Sequence, residues 1–321
     1  MNTSPKSTVW DSIIIGGGPA GLAAALALGR SLRRVLVIDA GQPRNRRASH
    51  MHTVLGNEGI SPTELLRRGQ EEAAAYGVSF LEGSVSTVEE TEPEGGRRTM
   101  VVTPGSGHQL YARTVVAAAG IADRLPEIPG LAERWGSSVL HCPYCHGWEV
   151  RHRRLGVLAS GPMALHRAEL IRQWSEELTF FSAAAEPLEA DSRRRLESRG
   201  IVVEPAEVTA LHGEGTALSE VQLDDGRRVP VDAIFTAGDP VPHEDFLEGL
   251  NLYRSETPLG SVIAVDQGGR TSHERVWAAG NLVAPMGNIP MSISAGTMAG
   301  AMVNSTLIAE EFDLATARSR V

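Results

Sequence analysis

The sequence predicts an α/β chain built as two nested Rossmann-like, three-layer domains. Three observations carry that prediction. A glycine-rich stretch, Gly16-Gly17-Gly18-Pro19-Ala20-Gly21, separates an apolar strand from an alanine-rich helix. The same strand, loop and helix order returns in weaker form from Leu155. A linker bearing Pro126, Pro129 and Gly130 follows a short buried strand and sets a boundary near residue 120.

Taken in order, residues 11–15 form the first strand, 22–32 its helix and 33–39 the second strand, a βαβ unit of the kind that builds parallel sheets. Residues 41–61 are turn-rich, and 62–76 read as a helix with Ser61 or Thr63 as N-cap. Apolar and polar residues alternate over 83–103 around Gly95-Gly96, the mark of a hairpin layer. Residues 115–120 are a buried strand ending in glycine. Residues 155–159 lead through Ser160-Gly161-Pro162 into a helix over 163–174 and a strand over 178–182. A strand with a small-residue end, 276–281, precedes a closing helix around 294–302.

A length of 321 residues allows two domains, and a net charge of -9 argues against nucleic-acid or anionic-membrane partners, which need a clustered positive field. A small-molecule or protein substrate is expected. No apolar run precedes Asp11, and the run over 13–28 is broken by glycines and a proline, so neither a signal peptide nor a membrane span is expected. With only two cysteines, a disulfide framework is excluded and a cytoplasmic location is expected.

Asp39 closes the second strand 18 residues after Gly21. In a dinucleotide site Gly16 permits the tight turn, Gly18 admits a pyrophosphate to the backbone, and Gly21 lets helix and strand pack closely. Asp39 then accepts from ribose hydroxyls, and the helix N-terminus faces the phosphates. The motif does not separate FAD from NAD.

Cys142 and Cys145 have the Cys-x-x-Cys spacing of a redox pair or of half a zinc site, with His141 and His146 flanking them. Adjacent histidines close a tetrahedral site poorly, so a redox pair is expected and no metal. His146 is the first candidate for moving protons to and from the thiols and His141 the second, because imidazole titrates near neutrality.

These motifs, with Ala119-Gly120 and Ala278-Ala279-Gly280, resemble the low-molecular-weight thioredoxin reductases of the pyridine nucleotide-disulfide oxidoreductase type, over nearly the whole chain. The resemblance implies FAD, a homodimer, a discontinuous FAD-binding domain of residues 1–120 plus 243–321, and a central domain of 121–242 carrying the cysteines. By position it implies that Cys145 faces the flavin and Cys142 exchanges with substrate. It places Ala40, Gln42, Arg47, Val85, Asn281, Ile289 and Met291 near the cofactor, beside the glycine loop, Asp39, Ala119, Gly120 and Gly280.

The departures from that family concern the nicotinamide. Its second glycine loop is Ala159-Ser160-Gly161-Pro162-Met163-Ala164 here, without the first glycine. Its His-Arg-Arg cluster for the 2′-phosphate is Ser182-Ala183-Ala184-Ala185. Its Gly-Asp is Gly280-Asn281, its flavin-side Arg-Gln pair is missing around Asn288 to Met291, and its acid after the second cysteine is His146.

This combination resembles the FAD-dependent dithiol oxidases that close disulfides in gliotoxin- and holomycin-type natural products. The implied cycle runs from a substrate dithiol through Cys142 and Cys145 to FAD, with oxygen as acceptor and hydrogen peroxide released. Two alternatives stand beside it: a disulfide reductase fed by NAD(P)H at a divergent site or by another donor, and a flavin-binding redox sensor. Trp148, Trp174 and Trp277 read as core residues and Arg193-Arg194-Arg195 as a solvated helix face.

Overall fold

A computed structural model describes residues 9–94 and 97–319. The Gly95-Gly96 turn expected from the sequence lies outside them. The elements run β1 (Val9–Ile15), α1 (Pro19–Arg30), β2 (Val35–Asp39), α2 (Pro62–Ala74), β3 (Ser79–Glu82), β4 (Val85–Glu94), β5 (Arg97–Pro104), β6 (Leu110–Ala117) and β7 (Ile121–Arg124). They continue with β8 (Val139–Leu140), α3 (Pro143–His146), β9 (Leu155–Leu158), α4 (Ala164–Ile171), β10 (Leu178–Phe181), α5 (Ala190–Glu197), β11 (Val202–Glu204) and β12 (Val208–His212). The last are β13 (Glu220–Leu223), β14 (Arg228–Pro230), β15 (Ala233–Phe235), β16 (Asp239–Pro242), β17 (Arg254–Thr257), β18 (Gly260–Ile263), β19 (Val276–Ala278) and α6 (Ile289–Arg318). Among the described residues no helix is long and apolar enough to cross a membrane.

The chain divides into two compact units: Met1–Arg44 with Thr63–Ala122 and Pro242–Val321, and Asn45–Pro62 with Asp123–Val241. The first is built on a seven-stranded sheet ordered β3-β2-β1-β6-β5-β4, with β19 also on β6. β6 divides one of its edges: Leu110 to Ala112 pair antiparallel with β5, while Val115 to Ala117 pair parallel with β19. Its other edge is parallel to β1. β1 and β2 are apolar on both faces because helices cover one side and the β4–β5 layer and the segment 245–250 the other.

The closing helix is far longer than the expected 294–302, and small residues explain its start. A Cβ on Gly296 would stand 1.9 Å from the Ala20 carbonyl oxygen and one on Gly300 2.8 Å from that of Ala24, so α6 packs backbone to backbone on α1. Farther along, Glu311 takes bonds from Arg33 (2.6 Å) and Arg113 (2.7 Å), and Arg113 also reaches Asp11 on β1 (3.0 Å). Polar anchoring of this kind leaves no hydrophobic period, which is why the sequence hid it.

The second unit holds a five-stranded parallel sheet, β11-β10-β9-β15-β8, and an antiparallel sheet, β12-β13-β14. The β9–α4–β10 stretch repeats the opening βαβ unit. Trp277 is fully buried, but Trp148 is 65% exposed under the Arg151 guanidinium, 3.9 Å from its ring centre. Its place in a core is thus corrected: the turn after α3 leaves it at the surface. Trp174 is partly buried, and Tyr144 meets it edge-on.

Candidate functional site

In the first unit the glycine loop turns between β1 and α1. Gly16 adopts φ +106°, and a Cβ there would stand 2.4 Å from the Ala118 oxygen, while one on Gly21 would stand 1.9 Å from the Gly16 oxygen. At Gly18 a Cβ would meet nothing within 4 Å. Helix α1 thus begins with Pro19 behind an N-cap that supplies no side-chain bond, with no acid in its first turn, facing open space. An uncapped helix start beside a glycine that leaves room for close approach fits a pyrophosphate. Asp39 accepts from the Gly17 amide at 2.9 Å through Oδ1, which fixes the loop and leaves Oδ2 for a ribose.

Two further turns meet this loop. The Ala118-Ala119 backbone lies against Gly16, and Gly120, at φ +70°, has open space around it. Gly280 (φ +75°) comes close enough to Ala20 that a Cβ would stand 2.9 Å from its side chain. Asn281 donates to the carbonyls of Ala284 (3.1 Å) and Gly287 (2.8 Å). Its amide therefore holds the turn and presents the oxygen to any ligand, an acceptor like the carboxylate of the resembling family. Asn288 caps α6 through the Met291 amide, placing Ile289 half-buried and Met291 exposed at the helix start. Ala40 and Gln42 are exposed after β2, and Val85, half-buried, opens β4. Arg47 belongs to the second unit, where it donates to the Ala132 carbonyl at 2.7 Å.

The cysteines lie in the second unit. β8 delivers Cys142 to the N-cap of α3, whose one turn is closed by bonds from Cys145 and His146 to the Cys142 carbonyl, at 3.2 and 3.1 Å. That turn brings the sulfurs to 2.7 Å, with the Cys145 thiol donating to Cys142. Gly147 has to be glycine because a Cβ would run into the Pro143 oxygen and the Trp174 ring. The hydrogen bond to Cys142, burial, and the negative potential of Cys142 and Glu149 all push the Cys145 thiol up, so it keeps its proton. His146 is pulled down from its ordinary value, first by burial and then by His52, against the opposing effect of Glu149. It is a neutral base at physiological pH. The His141 ring lies 6.3 Å from that of Trp135.

Sequence reasoning did not find the neighbours of His146. His52 stands edge-on to it with ring centres 6.5 Å apart, and its nitrogens face Glu58 and Glu149. The only signal was the basic, turn-rich loop of Arg44, Asn45, Arg46, Arg47, His50 and His52, read as a contact for FAD or the dimer partner or as a solvated loop. Among the described residues no group of three or more His, Cys, Asp or Glu side chains is arranged to hold a metal ion.

The nucleotide-loop counterpart in this unit is occupied by its own side chains. Ser160 Oγ lies 3.2 Å from the Thr236 hydroxyl and accepts from the Ala237 amide at 3.0 Å. Arg167 on α4 comes within 3.4 Å of the same hydroxyl and, among the described residues, pairs with no carboxylate. After β10, the Ser182 hydroxyl donates to Glu186 at 2.6 Å and Arg193 pairs with that carboxylate at 3.0 Å. A cation does reach this turn, with its charge already met. Arg194 and Arg195 are exposed and ion-paired to Asp191 and Glu169.

The pattern for the family described as pyridine nucleotide-disulphide oxidoreductase matches residues 10–300. Thioredoxin reductase tcpT of Claviceps purpurea is 31% identical over 320 residues, covering 95% of this chain and 96% of that protein. Thioredoxin reductase sirT of Leptosphaeria maculans is also 31% identical, with 95% of each covered. Among solved structures, HlmI superposes with a TM-score of 0.91 at 38% identity over the whole of both chains. An oxidoreductase from Agrobacterium tumefaciens gives 0.86 at 36% identity, covering 94% of this chain and 99% of that one. A glycine loop shaped for a pyrophosphate and a cysteine pair within one turn therefore have a common explanation: the chain belongs to the pyridine nucleotide-disulphide oxidoreductase family and is an FAD-dependent thiol–disulfide oxidoreductase resembling the thioredoxin reductases.

Proposed function

We propose that the enzyme is a dithiol oxidase: it closes a disulfide in a dithiol substrate through Cys142 and Cys145 and passes the electrons by way of FAD to oxygen, releasing hydrogen peroxide. In this reading the domain of residues 1–120 plus 243–321 holds the flavin, and the domain of 121–242 carries the cysteines and a degenerate nicotinamide fold. Gly16, Gly18, Pro19, Ala20, Gly21 and Asp39 hold the adenosine and pyrophosphate. Ala40, Gln42, Arg47, Val85, Ala119, Gly120, Gly280, Asn281, Ile289 and Met291 complete the cofactor site. Bound FAD supplies the two-electron sink that reoxidises the cysteines.

The protein's own groups handle sulfur and protons. His146 takes the proton of a substrate thiol, and the resulting thiolate attacks Cys142 of the oxidised pair. That attack opens the cysteine disulfide and releases Cys145, which takes the proton from His146; the second substrate thiol gives its proton to a neighbouring base, attacks the mixed disulfide and displaces Cys142. His141 is a second candidate for that base. A homodimer follows from the family resemblance, and Met298, Met302, Ile308 and Phe312, exposed along α6, supply an apolar surface for it.

The observation that carries the direction of electron flow is Glu186: a carboxylate closes the turn where the resembling reductases use cations to hold the 2′-phosphate. One observation favours the second reading, a disulfide reductase fed by NAD(P)H. Arg167 brings a cation lacking a carboxylate partner, among the described residues, to the loop after β9. Anaerobic mixing with a small dithiol, NADPH or NADH, followed by the flavin's visible absorbance, separates the two. Bleaching by the dithiol alone, with colour returning in air, is expected; rapid bleaching by NADPH overturns the oxidase.

A further inference from the structure

His52 comes from a loop folded on its own backbone. Met51 and Ile60 are joined at 2.9 Å, Gly59 bonds to the Met51 carbonyl at 3.0 Å, and Met51 and Val54 are buried. Thr53, held at φ +62°, gives its amide to Glu58 at 2.9 Å. The same carboxylate lies 2.7 Å from His52 Nδ1, and Glu149, three residues beyond His146, lies 3.4 Å from His52 Nε2. Carboxylates opposite both ring nitrogens suit an imidazole that donates from both. The His52 side chain is 19% exposed, whereas those of Glu58 and Glu149 are 64% and 42% exposed. His52 thus stands between the half-buried His146 and two carboxylates in water.

We propose that His52 is a positioning residue for His146: held between Glu58 and Glu149 and edge-on to the His146 ring, it keeps that imidazole free to accept a proton. This deepens the oxidase reading and rests on it for the identity of the substrate. As the substrate disulfide forms, the cysteine S–S bond breaks, two electrons reduce the pair, and the two thiol protons are taken up by His146 and the released sulfurs. When the cysteines are reoxidised those protons must leave. His146 faces His52 and Glu149; His52 faces His146, Glu58 and Glu149. His52 acts against a proton on His146, so its removal makes His146 easier to protonate.

The test compares His52→Gln and Glu58→Gln with the parent holoenzyme in two measurements. Titration of the His146 ring by NMR, which requires no turnover, should move upward by about half a pH unit or more in His52→Gln and by less in Glu58→Gln. The acid limb of dithiol-driven flavin reduction should move up with it, and His52→Gln should add nothing in a His146→Gln background. An unmoved His146 titration in both variants overturns the proposal, as does an equal loss of rate from His52→Gln with His146 present or replaced. Failure of the dithiol to reduce the flavin in the parent enzyme strikes the oxidase reading alone, because the NMR arm still reports on the histidine pair. Should His52→Gln not fold, Glu58→Gln carries the same comparison, and an unmoved titration there overturns the proposal.

Discussion

The Cys145 thiol donates to Cys142 across 2.7 Å, so in the reduced pair the two cysteines are unequal. The bond to Cys142 and burial push the Cys145 thiol up, so it keeps its proton. Iodoacetamide at neutral pH should label Cys142 of the reduced enzyme several-fold faster than Cys145, read by peptide mass spectrometry. Replacing Cys142 with serine removes the negative sulfur and the acceptor, so Cys145 should then be labelled at lower pH than in the parent. Equal labelling of both would show that the turn does not differentiate them.

Gly18→Ala and Gly21→Ala should separate cofactor binding from folding. Space around Gly18 is open, so a methyl group there is compatible with the fold and obstructs only the approach of a pyrophosphate. The variant should purify with an unchanged melting temperature measured without flavin and at least tenfold weaker FAD retention. Gly21→Ala meets backbone and should lose both.

On α6, Gly296→Ala puts a methyl group into the Ala20 carbonyl, which must drive the two helices apart. Overpacking of this kind costs about 1–3 kcal/mol, seen as a lower urea midpoint. Since Ala20 sits in the first turn after the glycine loop, flavin content should fall with it.

Glu311 connects α6 to the first sheet, and bonds from Arg33 and then Arg113 draw its carboxyl down to about 2. A depressed carboxylate stabilises the fold above the unfolded value near 4.5, and that contribution disappears as pH falls through the folded value. The difference in urea midpoint between the parent and Glu311→Gln should therefore be largest at neutral pH and shrink steadily between pH 4.5 and 2. A constant gap would place the effect elsewhere.

Much of this was legible in the chain. The glycine loop announces itself because it needs backbone space at fixed positions, and Asp39 because an acid must end the following strand. The cysteine spacing is local chemistry. The length of α6 was not legible, since its second half is held by Arg33, in the turn before β2, and Arg113 on β6 rather than by a hydrophobic period. Nor was the pairing of His52 with His146, which are 94 residues apart in sequence and meet only because the loop over 45–62 packs with the second unit. Arg47, which the resemblance places near the cofactor, donates to the Ala132 carbonyl within the second unit.

The division of β6's edge between β5 and β19 sets an order of manufacture. Residues 45–62 and 123–241, all that the second unit requires, have been synthesised before Pro242 is made. The first unit has by then its amino-terminal strands but an open upper edge on β6, and the glycine loop lacks the helix that packs on Ala20. At the ordinary pace of about 5–20 residues per second, that half-built sheet waits several seconds for β19 and α6 to arrive. A nascent chain stalled before residue 276 should carry a folded cysteine unit and no capacity to retain flavin, and loss of the last segment in a finished protein would leave the same apolar edge for chaperones to find.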